Sequence, residues 1–243
     1  REIELMREAG KILGTVLNEL EKECKPGVTT YHINKIGEEM IKSYGCIPSF
    51  KGYQGYPAAI CVSVNDVVCH GIPSDDQILQ EGDIVNVDAT TMVDGYFADA
   101  SRMFMIGKVS KEAKQLVEDT KKALEIGISS IIPYQSCIGD IGSAIENFAK
   151  AHGYSVVKEF CGHGVGLALH EDPYVLHFNP HKPTEVIVPG MVFTIEPMLN
   201  LGSRHVFVDA DDEWTVYTED GSLSAQWEHT ILITETSVEI ISK

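Results

Sequence analysis

The apolar positions along the chain change period several times. Residues 3–23 place Ile3, Met6, Ile12, Leu13, Val16, Leu17 and Leu20 at helical spacing, which predicts an amphipathic helix. Pro26-Gly27 ends it. Thr29-Thr30 lead into a second predicted helix over 30–44, which Gly45 stops. Residues 46–58 are rich in Gly, Tyr and Pro and read as a loop. Alternation then predicts strands at 60–65 and 82–88, and Asp94-Gly95 signals a hairpin turn into a returning strand over 96–106. After this the pattern restarts. Two helices are predicted over 110–127 and 137–152, separated by Pro133, then strands near 154–160, 190–197, 204–210, 213–218 and 228–241.

Each half therefore reads as two helices followed by strands, an α+β arrangement. The halves also echo each other in detail. Residues 81–89 (EGDIVNVDA) align with 189–197 (PGMVFTIEP), so that Gly opens both strands and a carboxylate, Asp88 or Glu196, closes both. His70-Gly-Ile-Pro73 and His170-Glu-Asp-Pro173 each precede one of them. A duplicated unit would bring both carboxylates near one central axis. The expectation is a single catalytic domain over 1–243, with pseudo-halves at about 1–108 and 109–243.

Composition narrows the classes. Asp and Glu number 36 against 19 Lys and Arg, a net charge of −17, which argues against non-specific nucleic-acid binding and specific DNA binding. Lys108, Lys111, Lys114, Lys121 and Lys122 form one local basic run, read first as a solvated helix face. No apolar run is long enough to predict a membrane span. Six cysteines occur without a C-x-x-C pair, and no signal peptide is visible, so free thiols in a reducing cytoplasm are expected. The chain opens on Arg1 in a segment that already reads helical, so a few preceding residues are expected.

Five polar residues stand out inside apolar segments: Asp88, Asp99, His163, Glu196 and Glu228. A buried carboxylate is costly unless it is paired or bound to a metal. Singly, each has an ordinary reading as a turn residue, a hydrogen-bond acceptor or a solvated edge. Together they offer hard oxygens and one imidazole. That set is too acidic for a structural zinc site, and it suits two divalent ions about 3.5 Å apart, as used for hydrolysis.

The order and spacing of these five residues resemble the type I methionine aminopeptidases. The surrounding words match too: VVCHGIP at 67–73, VNVDAT at 85–90, GHGVG at 162–166, FTIEPM at 193–198 and SLSAQWEHT at 222–230. The resemblance covers essentially the whole chain. It implies the pita-bread (creatinase/aminopeptidase) fold, two pseudo-twofold-related α/β halves around a central antiparallel sheet, with a dinuclear metal centre between them.

The resemblance also implies roles. Asp99 and Glu228 would bridge the two metals, His163 and Glu196 would hold one, and Asp88 would chelate the other. His70 would lie near the scissile amide nitrogen and His170 at the carbonyl oxygen. Phe50, Tyr53, Tyr56, Cys61, Leu169 and Trp214 would line a slot for a methionine side chain. Family members often carry Cys and Phe where this chain has Phe50 and Leu169, which changes the expected slot shape. Asn65, Val67 and Ser224 match positions that hold a monovalent cation, Na or K, in relatives.

The implied activity is removal of the initiator methionine from nascent proteins, with a preference for a small second residue. A metal-bridging hydroxide would attack, the metals and His170 would stabilise the oxyanion, and Glu196 would carry the proton to the leaving amine. One metal would hold the free N-terminal amine. Fe, Mn, Co or Zn would serve as the divalent metal. A cytoplasmic monomer is expected, with the ribosome as a plausible partner.

Rival readings are weaker. Cys69-His70 and Cys161-Gly-His163 invite a cysteine hydrolase, but adjacent strand residues point to opposite faces. GHGVG lacks the third glycine of a dinucleotide loop, since Leu167 stands there. A proline-specific aminopeptidase of the same fold would carry an added N-terminal domain. Type II methionine aminopeptidases carry an insertion for which the 33 positions from His163 to Glu196 leave no room. A non-catalytic pita-bread binding protein would have lost a ligand.

Overall fold

Helical periodicity at the start of the chain becomes α1 (Glu2–Glu23), which buries Leu13, Val16, Leu17 and Leu20 on one face. Each such side chain contributes roughly 1.5–3 kcal/mol when fully buried. Thr29 caps α2 (Thr30–Ser43) by accepting from the His32 amide. The chain then forms β1 (Ile47–Pro48), β2 (Ile60–Val64), β3 (Val67–Cys69), β4 (Ile84–Val93) and β5 (Tyr96–Met105). The computed structural model describes residues 1–243.

Asp94 (φ 47) and Gly95 (φ 87) make the predicted turn between β4 and β5. Both sit in the left-handed region that a two-residue hairpin demands. The long β4–β5 ladder pairs antiparallel from Ile84↔Met105 to Val93↔Tyr96. The other edge of β4 pairs with β2 and β1. Period-two alternation sends Val85, Val87 and Ala89 into the core beneath α1 and α2, and Ile84 into the core of the second half.

The second half repeats the order. Ser110 caps α3 (Lys111–Ser129) and is followed by α4 (Ile138–Ala151). Short strands follow: β6 (Ser155–Val156), β7 (Gly162–Gly164), β8 (Glu171–Val175), β9 (Val192–Ile195), β10 (Met198–Asn200), β11 (Val206–Val208), β12 (Val216–Thr218), β13 (Ser224–Gln226), β14 (His229–Ile233) and β15 (Val238–Ile240). A five-stranded sheet runs in the order β15-β14-β9-β7-β8. Strands β14 and β13 pack against β5, so the sheet regions of the two halves meet there. Gly82 (φ 98) and Gly190 (φ 92) both open their strands in the left-handed region, matching the echo read from the sequence.

The predicted helices and the strands over 60–65 and 96–106 lie within a residue or two of their expected positions, whereas the strand predicted over 82–88 runs on to Val93 as β4. The short strands differ more. The segment 154–160 pairs only at Ser155–Val156, and 228–241 splits at a turn into β14 and β15. Strands β3, β7, β8, β10 and β13 are too short to show a period. Strand β3 ends at Cys69, and His70 has φ 58. The separation of Cys69 from His70 is therefore a change of backbone direction rather than alternation along one strand. No helix is long and apolar enough to cross a membrane.

Candidate metal centre and apolar slot

The β4–β5 ladder supplies Asp88 and Asp99, placed by register: Asp88 lies opposite Ser101, and Asp99 opposite Thr90. Strand β7 supplies His163. The residues after β9 and β13 supply Glu196 and Glu228. The Glu228 amide donates to Ser101 O at 3.1 Å, tying the second half to β5. Asp99, His163 and Glu228 each place one ligand atom within 4.8 Å of the others. His163 Nε2 lies 3.7 Å from Asp99 Oδ2 and 3.5 Å from Glu196 Oε1.

Glycines flank His163 for a steric reason. A Cβ at Gly162 would come within 2.4 Å of Thr194 O, and one at Gly164 within 2.1 Å of Asp172 O. Only a bare backbone lets β7 run this close to both neighbours.

Electrostatics show what the cluster suits. Burial pushes the Asp99 carboxyl up to about 7 and the Glu196 carboxyl up to about 8. Burial, then neighbouring carboxylates, pushes Asp88 and Glu228 well above the ordinary range. The imidazoles move the other way. Burial, then the nearby His170, lowers His163 to about 3 and His70 to about 4. Burial also lowers His170. Four carboxyls held together resist ionisation unless cations accompany them. Asp88 Oδ1 is closed off from solvent and has no hydrogen-bond partner. That orphaned oxygen and the hard donor set fit divalent metal ions.

Neutral neighbours orient the carboxylates. The Thr90 hydroxyl donates to Asp99 Oδ1 at 2.8 Å. The Thr194 hydroxyl donates to Glu196 Oε1 at 2.7 Å and accepts from the His163 amide. Gln226 Nε2 donates to Glu196 Oε2 at 3.1 Å. These residues escaped the sequence reading, although a signal existed. Thr194 and Gln226 each precede a predicted ligand by two positions, the spacing of one strand face. His177, fully buried behind Glu196, had no such signal.

Beside the centre, Phe50, Tyr56, Ala58, Cys61 and Leu169 form a buried apolar cluster, with Tyr53, Ile72, Phe97 and Trp214 packed against it. All six slot residues expected from the resemblance are in this group. Ala58, Ile72 and Phe97 were not anticipated. Tyr56 stands edge-on to Trp214 at 5.1 Å between ring centroids, and its hydroxyl donates to Gly71 O. His70 is wedged edge-on between Phe160 at 5.4 Å and Trp214 at 6.0 Å. His170 lies 4.0 Å from the His163 ring centroid, and its Nδ1 is 2.8 Å from the Tyr53 hydroxyl. His170 thus borders centre and slot together, while His70 stands against the slot at Trp214.

The remaining sequence candidates are placed as follows. Asn65 (φ 56) accepts at its backbone carbonyl from the Ser224 amide, and Val67 pairs with Tyr217. Ser224 Oγ is buried without a partner. All six cysteines are free, and burial pushes the Cys61 and Cys69 thiols well up, away from nucleophilic use. The basic run on α3 is interleaved with acids: Lys114 faces Glu118 at 3.7 Å and Lys122 faces Glu125 at 3.5 Å. Lys121 lies over the Trp227 ring. A surface groove of about 1010 Å³, lined by Met6, Tyr96, Leu167 and Tyr174 among others, contains none of the five centre residues.

An acid-and-imidazole metal centre enclosed by paired sheets defines a metallohydrolase, and the chain belongs to metallopeptidase family M24, whose sequence profile matches residues 4–235. Within that family it is similar to methionine aminopeptidases. It is 46% identical to methionine aminopeptidase A of Synechocystis sp., over 100% of this chain and 95% of the relative. It superimposes on the crystal structure of methionine aminopeptidase from Rickettsia prowazekii with a TM-score of 0.97 at 41% identity, covering 100% of this chain and 97% of that one. The fold is the α+β pita-bread fold. An X-Pro aminopeptidase from Thermotoga maritima shares it at 22% identity and a TM-score of 0.76, but this chain covers only 61% of that protein.

Proposed function

We propose that this chain is a divalent-metal-dependent methionine aminopeptidase that removes the initiator methionine from nascent proteins. The carrying observation is the convergence of Asp99, His163, Glu196 and Glu228, with Asp88 beside them, next to an apolar slot that two histidines border. In this reading Asp99 and Glu228 would be shared between two divalent ions, His163 and Glu196 would hold one, and Asp88 would hold the other. Bound divalent ions supply Lewis acidity and make water a nucleophile near neutral pH. Fe(II), Mn(II), Co(II) and Zn(II) all suit such ligands.

The protein's own groups do the rest. The methionine side chain enters the slot between Phe50, Tyr53, Tyr56, Cys61, Leu169 and Trp214. His170 Nδ1 lies 2.8 Å from the Tyr53 hydroxyl; in this reading the hydroxyl is the donor, which leaves the neutral ring's proton on Nε2 to meet the substrate carbonyl oxygen. His70, neutral between two aromatic rings, faces the scissile amide nitrogen. Glu196 takes a proton and passes it to the leaving amine, while Thr194 and Gln226 hold its two oxygens. Asn65, Val67 and Ser224 hold a monovalent cation. The reading extends to a cytoplasmic monomer that meets its substrates near the ribosome.

The test is methionine release from Met-Ala-Ser. Metal-stripped protein is assayed alone, then with Mn(II), Co(II), Fe(II) or Zn(II), and with the formylated peptide as control. Metal-restored release from the free peptide alone is expected. Folded, metal-loaded protein that releases no methionine would defeat the reading.

A further inference from the structure

Strand β9 ends at Ile195, paired with His229, and residue 197 is proline. Glu196 therefore lies where the chain leaves the sheet, and its backbone N–H has no ladder partner. That N–H donates instead to His177 Nε2 at 3.1 Å. His177 follows β8 and is fully buried. A ring nitrogen that accepts from an amide carries the lone pair, so the ring proton sits on Nδ1. Nδ1 is itself buried and has no protein partner. An unpaired buried polar atom destabilises the fold, and an apolar side chain at 177 would not carry one. A polar ring kept in that position points to a need for its acceptor.

What the acceptor holds is a carboxylate with no freedom left. Glu196 Oε1 takes the Thr194 hydroxyl and Oε2 takes Gln226 Nε2. Its backbone is pinned by His177. The result keeps Oε1 at 3.5 Å from His163 Nε2. We propose that His177 is a positioning residue: its Nε2 fixes the backbone of Glu196, so that Glu196 and His163 meet the same metal ion in the right geometry. This rests on the proposed function, in which those two residues share an ion. Residues one step behind a ligand commonly change metal affinity 10–100-fold when removed.

The experiment compares His177→Phe and His177→Gln with the unmodified chain. Mn(II) binding is followed by titration calorimetry and by electron paramagnetic resonance of free Mn(II), and kinetics use Met-Ala-Ser. His177→Phe is expected to weaken one of the two Mn(II) sites 10–100-fold and to lower kcat, with KM held within threefold. His177→Gln, whose amide oxygen can accept the same N–H, is expected to recover most of both. A folded His177→Phe with unchanged Mn(II) isotherm and kcat overturns the proposal. So does a His177→Gln variant as impaired as His177→Phe. If His177→Phe does not fold, ¹⁵N spectroscopy of the Zn(II)-loaded unmodified chain decides. A scalar coupling between the Glu196 amide nitrogen and an unprotonated His177 Nε2 supports it, and no coupling overturns it. Failure of the proposed function is separable, because there the unmodified chain releases no methionine whatever happens at 177.

Discussion

The metal centre and the slot beside it touch, yet they are built in opposite ways. Asp88, Asp99 and His163 lie within paired strands, Glu196 directly follows β9 and Glu228 directly precedes β14, so register sets the geometry. Hydroxyl and amide groups then lock Asp99 and Glu196. Apart from Cys61, which lies on β2 opposite Asp88, the slot draws on loops: Phe50, Tyr53 and Tyr56 come from between β1 and β2, Leu169 from after β7, and Trp214 from between β11 and β12. Its walls are held by edge-on rings and a few hydroxyls. A centre that performs chemistry needs atoms fixed to fractions of an ångström. A wall that recognises a flexible thioether chain needs only shape and dryness, and loops can drift there without stopping the reaction.

The sharpest way to break this contrast is to remove one member of the centre. Asp99→Asn keeps size and shape but discards the charge that the proposed function places between two ions. Catalytic efficiency, kcat/KM, is expected to fall roughly a thousandfold or more, about 4 kcal/mol at 1.4 kcal/mol per decade. Metal stoichiometry should fall below two per chain by atomic emission. Full activity and two metals in the variant would show that the sheet-built centre tolerates what only the slot should tolerate.

Next come the bordering histidines. His70→Ala and His170→Ala are each expected to reduce kcat 10²–10⁴-fold, the usual worth of one positioned proton donor or acceptor. Metal content should not change. Loss of metal in either variant would move that histidine from the border into the centre.

Removal of metal gives a pH test with a definite sign. Without cations, Asp99 and Glu196 keep their protons to about 7 and about 8 in the folded chain. Unfolded, they lose them near 4. Between pH 6.5 and 8 the folded state therefore binds more protons than the unfolded one, and stability falls as pH rises. Below 6.5 the buried His163 and His177, lowered to about 3, oppose this by resisting protonation. Metal-stripped protein should melt several degrees lower at pH 8 than at 6.5. Metal binding displaces those protons, so loaded protein should hold or gain stability over the same interval. Calorimetric melts at both values, with and without Mn(II), check the sign.

The contrast also explains what could be read from the sequence. Asp88 and Asp99 were legible because they fall in the strands predicted over 82–88 and 96–106, and an acid inside an apolar strand has few uses. Glu196 was legible from the Gly-opened strand that repeats residues 82–88. Loop residues carry no period, so Tyr53 and Trp214 entered only through the family resemblance, and Ala58 and Ile72 were missed; Phe97 was missed although it lies in the predicted strand β5. His177 was invisible for a further reason. Its partner is a backbone amide 19 positions away, and nothing in side-chain identity marks an amide that has lost its ladder.

The smallest expected effect, and the one that tests the slot alone, is at Leu169. This side chain is 2% exposed within the apolar cluster, one residue before His170. Leu169→Ala removes three carbons from the wall and leaves the centre's ligands untouched. Discrimination by an apolar pocket is worth about 1–3 kcal/mol per methylene, so the relative kcat/KM values for methionine, norleucine and leucine peptides should shift about 10-fold or more. The shift should appear mainly in KM, because the wall binds ground state and transition state alike. Leu-to-Ala changes in cores cost about 2–5 kcal/mol, and a loop-built wall that can settle inward should lie at the low end of that range. Mn(II) affinity should stay within twofold. If Leu169→Ala instead depresses kcat and metal binding together, wall and centre are one mechanical unit, and the division drawn between them fails.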